Sequence, residues 1–320
     1  ESRLAGSPRR MKIRIASRES RLAMWQAEHV RDLLLALPEV SEVEIVGMTT
    51  KGDQILDRSL AKIGGKGLFI KELEHALLEG RADLAVHSGK DIPMDLDPEF
   101  ELLGFMTRED PHDAFVSNDY ASLAELPAGA VVGSSSLRRQ AQVLARYPHL
   151  KVEPLRGNLD TRLGKLDSGQ YQAIVLAAAG LKRLGMQSRI RNVIDSSDML
   201  PAVGQGALGL EIRTGDTALA AVAKQLIDPV CTGLVSAERS VSKALGGSCQ
   251  VPIAGYATLN DRDTFTLRAL VASPDGKTVI EKSASGSLQG WQDVSEQVIQ
   301  VLLAEGAQAL IDDAVQQFKG

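Results

Sequence analysis

The residue types in this 320-residue chain with the most chemistry to offer are cations, and they fall where ligands are commonly held. Arg18, Lys66, Lys90, Arg138, Arg139, Arg156, Arg162 and Arg183, with the carboxylate Asp91 among them, each follow a strand-like segment, in a loop or in the first turn of the next helix. In open parallel sheets that edge, with its helix N-termini, is where anions bind. Arginine outnumbers lysine in the set, and its planar fork suits bidentate carboxylate or phosphate binding. The expected ligand therefore carries several anionic groups. An isolated Asp after a strand reads as a turn or helix cap, whereas one set among cations can accept N–H bonds or carry protons. His87 has no metal partner nearby in sequence. The two cysteines, Cys231 and Cys249, give neither a disulfide framework nor metal-ligand spacing.

The elements that must position these residues alternate. Strand-like 12–17 precedes Ser17-Arg18-Glu19-Ser20 and a helix carrying Leu22, Trp25, Val30, Leu33, Leu34 and Leu37 at helical spacing. A strand at 43–48, a helix at 70–78 and a strand at 82–86 follow, the last leading into His87-Ser88-Gly89-Lys90-Asp91. The pattern restarts with strands at 130–133, 152–155 and 173–177 and helices between them, with Lys182-Arg183 placed at the next helix start. Such alternation predicts mainly parallel sheets covered on both faces. A Gly-interrupted strand at 203–212 can return the chain to the first lobe. A helix over 232–245, strands at 264–272 and 277–284 forming a hairpin, and helices over 290–316 predict a separate α+β unit.

Composition sets the class. A net charge of −5 hides a segment, Ser134–Arg191, with eleven Lys/Arg against three acids. Aromatic residues make up only 4% of the chain, which weighs against an aromatic-lined nucleic-acid platform. No apolar stretch reaches the roughly 18 residues of a membrane span, so a cytoplasmic protein without membrane or nucleic-acid partners is expected. Residues 1–10 lack periodicity and read as a leader or expression scar.

Nine stretches in order resemble the hydroxymethylbilane synthase (porphobilinogen deaminase) family. They are Arg14-Ile-Ala-Ser-Arg18, Lys62-Ile-Gly-Gly-Lys-Gly-Leu-Phe69, Ala85-Val-His-Ser-Gly-Lys-Asp-Ile-Pro93, Arg108-Glu-Asp-Pro-His-Asp-Ala-Phe115, Gly133-Ser-Ser-Ser-Leu-Arg-Arg-Gln140, Leu155-Arg-Gly-Asn158, Leu181-Lys-Arg-Leu-Gly185, Leu200-Pro-Ala-Val-Gly-Gln-Gly206 and Cys249-Gln-Val-Pro-Ile253. The resemblance implies a transferase that joins four porphobilinogens head to tail, releasing ammonia, to give linear hydroxymethylbilane for tetrapyrrole and haem biosynthesis. It implies a covalent dipyrromethane cofactor on a thioether at Cys249, no metal, and a monomer. By position it makes Asp91 the catalytic carboxylate. Lys90, Ser136, Arg138, Arg139 and Arg162 become cofactor contacts, and Arg18, Arg156, Arg183, Lys66 and Phe69 substrate contacts. Each pyrrole carries an acetate and a propionate, so a growing chain gains two carboxylates per cycle, which accounts for the arginines.

The implied fold is α/β, two doubly wound lobes resembling type II periplasmic binding proteins plus a small α+β C-terminal domain. Its expected divisions are 11–107 with 203–226, 108–202, and 227–320. Two departures stand out. Gly89 replaces the bulky apolar residue usual beside the catalytic Asp, which predicts added backbone freedom, and Gly246-Gly-Ser-Cys249 replaces the commoner Gly-Gly-Cys. A non-catalytic anion-binding module on the same two lobes is the competing reading, but it gives Cys249 and a third domain no purpose. A nucleic-acid binder ranks below it.

Overall fold

The computed structural model describes residues 9–51, 67–246 and 251–319. Three sheets organise them. The first runs in the order β2-β1-β3-β10-β4, from β1 (Met11–Arg18), β2 (Val40–Met48), β3 (Leu84–Ser88), β4 (Phe100–Phe105) and β10 (Leu208–Arg213). The second runs β7-β6-β8-β5-β9, from β5 (Asp113–Val116), β6 (Val131–Gly133), β7 (Lys151–Glu153), β8 (Ala173–Ala177) and β9 (Asn192–Val193). In each, three strands are parallel, as the alternation predicts, and the fourth in order is antiparallel to both neighbours. That antiparallel strand is the one the chain delivers on crossing from the other lobe, so two crossing segments tie the lobes together. The returning strand starts at Leu208, later than expected, because Gly204 and Gly206 take φ of +75° and +85° and turn the chain before it can pair.

Packing follows the aliphatic composition. Ile13, Ile15, Leu84, Leu210 and Ile212 fill the first sheet against the helix Arg21–Leu35. Ser20 caps that helix by accepting the Ala23 amide at 3.3 Å. Its buried face is Gln26, Ala27, Val30 and Leu34, while Leu33, expected to be apolar core, is exposed. Arg10, expected in the leader, donates to the carbonyls of Pro38 (3.0 Å) and Val40 (2.9 Å), so it is tied into the first lobe.

The third sheet is antiparallel: β11 (Ile253–Leu259), β12 (Thr264–Ala272) and β13 (Val279–Ser287). Helices Pro229–Ala244, Trp291–Ala304 and Ala307–Lys319 pack their apolar faces onto it around Phe265, Leu267, Val298 and Leu302. Asp228 caps the first of these through the amides of Val230 and Cys231, with Pro229 preset for the first turn. The hairpin β12–β13 agrees with its expected place, whereas β11 here, and β4, β5 and β9 in the lobes, have no counterpart among the expected strands. Among the described residues no single helix is long and apolar enough to cross a membrane.

Candidate active site

A cleft of about 500 Å³ opens where the carboxyl ends of the parallel strands in both lobes face each other. Arg18, the last residue of β1, stands on one side with its guanidinium 4.3 Å from the centre of the Phe69 ring. Lys90 and Asp91 come from a single 3-10 turn, Gly89–Asp91, directly after β3. From the second lobe come Ser136 and Arg139, at the start of helix Leu137–Arg146, and Arg156 and Arg162, around the start of helix Leu159–Asp167. Both helix starts are built for this. Ser136 Oγ accepts the Arg139 amide at 3.2 Å and Asn158 Oδ1 accepts that of Thr161 at 2.9 Å. Ser135 Oγ and the backbone of Leu155 exchange hydrogen bonds of 3.0 and 2.9 Å, locking the two loops side by side.

The electrostatics are lopsided. Among the described lining residues there are six Lys/Arg and three carboxylates, and one carboxylate, Asp160, is taken by Arg21 at 2.9 Å across the mouth. Burial, then repulsion from Arg139 and Arg156, lowers Arg162 to about 10. Its Nε is buried with no hydrogen-bond partner among the described residues. Lys90 is exposed to the cleft, and the dense protein around its ammonium, then repulsion from Arg139, lowers it to about 8, with Asp91 opposing. Six cations against three carboxylates in one cleft favour an anionic ligand.

Arg138 and Arg183 are not brought to the cleft wall. Arg138 is buried on Asp113 (2.6 and 3.2 Å), with Leu200 O accepting a further bond at 3.0 Å. Arg139 Nε shares the same carboxylate at 2.9 Å. Burial would raise the Asp113 carboxyl, but Arg138 and Arg139 outweigh it and hold it well below the usual range. Arg183 ends the six-residue helix Ala178–Arg183 instead of starting one, and its Nη2 donates to Gly206 O at 2.8 Å. The helix begins on Ala178 because the buried run from β8 passes straight into it, leaving both cations for its last turn, where the dipole favours them. Lys66 and Cys249 lie outside the described residues. Cys231 packs among Ile92, Phe105, Ala207 and Val235, where burial raises its thiol to about 11.

Gly89 carries no slack. A Cβ there would lie 2.7 Å from the carbonyl oxygen of Gly204 and 3.2 Å from Phe105 Cε1, and the Gly89 amide donates to Ala207 O at 2.7 Å. The turn bearing Asp91 therefore rests directly on the chain that crosses back between the lobes. Behind it His87 is buried, its Nε2 2.8 Å from Glu211 Oε1, and burial lowers it to about 4, so the imidazole is neutral near pH 7. That pairing holds the imidazole behind the turn.

Sequence reasoning missed Gln26 and Asp113. Gln26 is a buried polar residue on an otherwise apolar helix face, and its Nε2 donates to Ser88 Oγ at 3.3 Å. A glutamine at a core-facing helical position is the signal that could have found it. Asp113 stood inside a recognised motif but carried no periodicity that pointed inward.

Comparison with known proteins gives consistent results. The family model described as porphobilinogen deaminase, dipyromethane cofactor binding domain, matches residues 13–221, and that of the porphobilinogen deaminase C-terminal domain matches 232–304. The porphobilinogen deaminase of Bordetella parapertussis is 59% identical over 300 residues, 94% of this chain and 95% of that protein. That of Thiobacillus denitrificans is 58% identical over 300 residues, 94% of this chain and 98% of its own. Among solved structures, the methionine binding protein MetQ is similar at a TM-score of 0.44 and 14% identity, over 67% of this chain and 89% of that one, too slight a likeness to bear on function.

Proposed function

The chain belongs to the porphobilinogen deaminase family, and from that premise we propose how its residues divide the work. It is a transferase that condenses four porphobilinogens head to tail, with release of ammonia, into linear hydroxymethylbilane on a dipyrromethane cofactor. The residues present suit such a group. A ligand with several carboxylates answers the crowded cations of the cleft, and a carboxylate oxygen would satisfy the buried Nε of Arg162, which has no hydrogen-bond partner among the described residues. Arg139, Arg162, Lys90 and Ser136 would hold its acetates and propionates, with Cys249 as the point of attachment. When bound, dipyrromethane supplies the primer whose free α-carbon is extended.

The remaining steps belong to the chain and its substrate. Arg18 and Arg156 bind the carboxylates of incoming porphobilinogen, and Phe69, stacked under Arg18, presents an apolar wall to the pyrrole face. Lys66 and Arg183 contribute to the same anion field. Arg138 acts one shell away, sharing Asp113 with Arg139 and so fixing where that guanidinium points. Asp91 accepts the pyrrole N–H and stabilises the cationic ring as the C–N bond to ammonia breaks. It then takes the proton released from the attacking α-carbon and passes it to the departing ammonia, which leaves as ammonium.

The observation that carries this reading is the cleft itself, with Asp91 among cations that outnumber the carboxylates. The reading also takes residues 11–107 with 203–226, 108–202 and 227–320 as three domains, a division supported by the three sheets, and the enzyme as a cytoplasmic monomer. Asp91→Asn tests the assignment. It should keep fold and cofactor but lose turnover by about 10² or more, the scale of removing one preorganised electrostatic group. Near-normal bilane formation by the folded, loaded variant would exclude Asp91 as the essential group.

A further inference from the structure

The turn that carries Asp91 is held from behind by a helix for which the chemistry above has no use. Helix Pro229–Ala244 precedes the segment bearing Cys249 and turns one face toward the first lobe at three- and four-residue spacing. Thr232 Oγ1 accepts the Phe105 amide at 2.9 Å and donates to its carbonyl at 3.2 Å. Val235 packs with Ile92, Phe105 and Ala207. Lys243 meets Asp95 at 2.9 Å near the surface.

Arg239, on the same face, does something different. Its Nη1 donates to Ile92 O at 3.0 Å and its Nη2 to Pro93 O at 2.8 Å, the two peptide carbonyls immediately after Asp91. The guanidinium lies 5.9 Å from the centre of the Phe105 ring, and burial, with Asp95 opposing, lowers it to about 10. Arg239 is half-buried, and two neutral carbonyls return less for that loss of water than a carboxylate would. What the arrangement supplies is direction. A rigid fork across two successive carbonyls fixes the plane of the backbone that leaves the turn.

The opposite side of the turn is fixed as well. The Gly89 amide donates to Ala207 O, and the neighbouring Glu238 accepts the Gly204 amide at 2.8 Å. Two adjacent residues of one helix thus hold both the segment after Asp91 and the crossing chain beneath it.

We propose that Arg239 is a positioning residue for Asp91: its clasp on the carbonyls of Ile92 and Pro93 holds the Gly89–Asp91 turn in one orientation relative to the helix that leads to the cofactor-bearing segment. The proposal rests on the reading of Asp91 as the reacting carboxylate. A displacement of about 1 Å at a reacting group costs on the order of 10²-fold in rate, so loss of the clasp should appear in kcat while KM, set by the arginines of the cleft, changes little.

The test uses the cofactor-loaded full chain with Arg239→Met and Arg239→Lys, each alone and combined with Asp91→Asn. Hydrogen exchange of the Gly89 and Ile92 amides should quicken by on the order of tenfold in Arg239→Met and less in Arg239→Lys, whose single ammonium can still reach one carbonyl. Turnover should fall by about tenfold or more, and Arg239→Met should cost nothing further once Asp91 is Asn. Unchanged exchange at residues 89–92, or an equal loss of kcat in both Asp91 backgrounds, would overturn the proposal. If Arg239→Met does not fold, Arg239→Lys carries the same readouts. Normal turnover of Asp91→Asn would sink the functional reading, while the exchange measurement would still decide whether the clasp exists.

Discussion

Replacing Asp113 with Asn probes the anchor on which the anion site is built. The carboxylate is fully buried between Arg138 and Arg139, whose side chains are 7% and 8% exposed, at 2.6 to 3.2 Å. Gln205 Nε2 adds a third donor at 3.1 Å. An amide keeps the shape but removes the charge and turns an NH2 toward donors that cannot accept it, leaving two buried guanidinium groups uncompensated. Breaking a buried pair in this way costs about 3 to 5 kcal/mol. Urea unfolding at pH 7, followed by far-UV circular dichroism, should show the unfolding free energy falling by that amount through a lower midpoint at an unchanged slope. The sign with pH is fixed too. The folded carboxyl is depressed, so its contribution is complete above the unfolded value near about 4 and is lost as pH falls further toward the folded value. The gap between wild type and Asp113→Asn should thus be level from pH 7 to 5 and narrow below about pH 4. A loss under about 1 kcal/mol, or a gap that widens on acidification, would refute the reasoning.

Two further outcomes follow from neighbouring groups. Gly89→Ala places a methyl 2.7 Å from a backbone oxygen that cannot retreat, so it should lose about 1 to 3 kcal/mol in a thermal melt and lower turnover through Asp91; a melt indistinguishable from wild type would contradict the packing. Burial, then the carboxylate of Glu211, raises Glu74 to about 9, so stability linked to it is complete below the ordinary glutamate value and declines as pH rises through 9. Glu74→Gln should flatten that decline and be the more stable protein at pH 9, and an unchanged pH slope in urea unfolding would exclude the effect.

Much of this was legible because it depends on local pattern. Alternating strand and helix periods gave three strands of each lobe and the returning β10, though not β4, β5 or β9, and the positions after strands gave the cleft residues Arg18, Lys90, Asp91, Arg139, Arg156 and Arg162. What escaped depends on contacts distant in sequence. Arg138 and Arg139 are adjacent and chemically alike, yet Arg138 is turned to Asp113 and Leu200 O while only Arg139 also reaches the cleft, a choice made by partners 25 and 62 residues away. Arg183 was placed at a helix start because the preceding strand was expected to end in a loop, whereas β8 runs directly into the helix. Strand β11 was overlooked because its short run, Ile253–Leu259, follows a turn-rich segment and is interrupted by Gly255, so neither face repeats long enough to register. Gly89 reads in the sequence as freedom, and only the Gly204 carbonyl against it shows constraint.

The central claim, a covalent primer on Cys249 extended within this cleft, is tested most directly by intact mass spectrometry of the wild type and of Cys249→Ser, before and after limited porphobilinogen. The account predicts a wild-type mass above the polypeptide by two linked pyrroles and discrete single-pyrrole additions thereafter, both absent in Cys249→Ser and both kept in Cys231→Ser. A wild-type mass equal to the bare polypeptide with no additions, or a loaded and active Cys249→Ser, would contradict it.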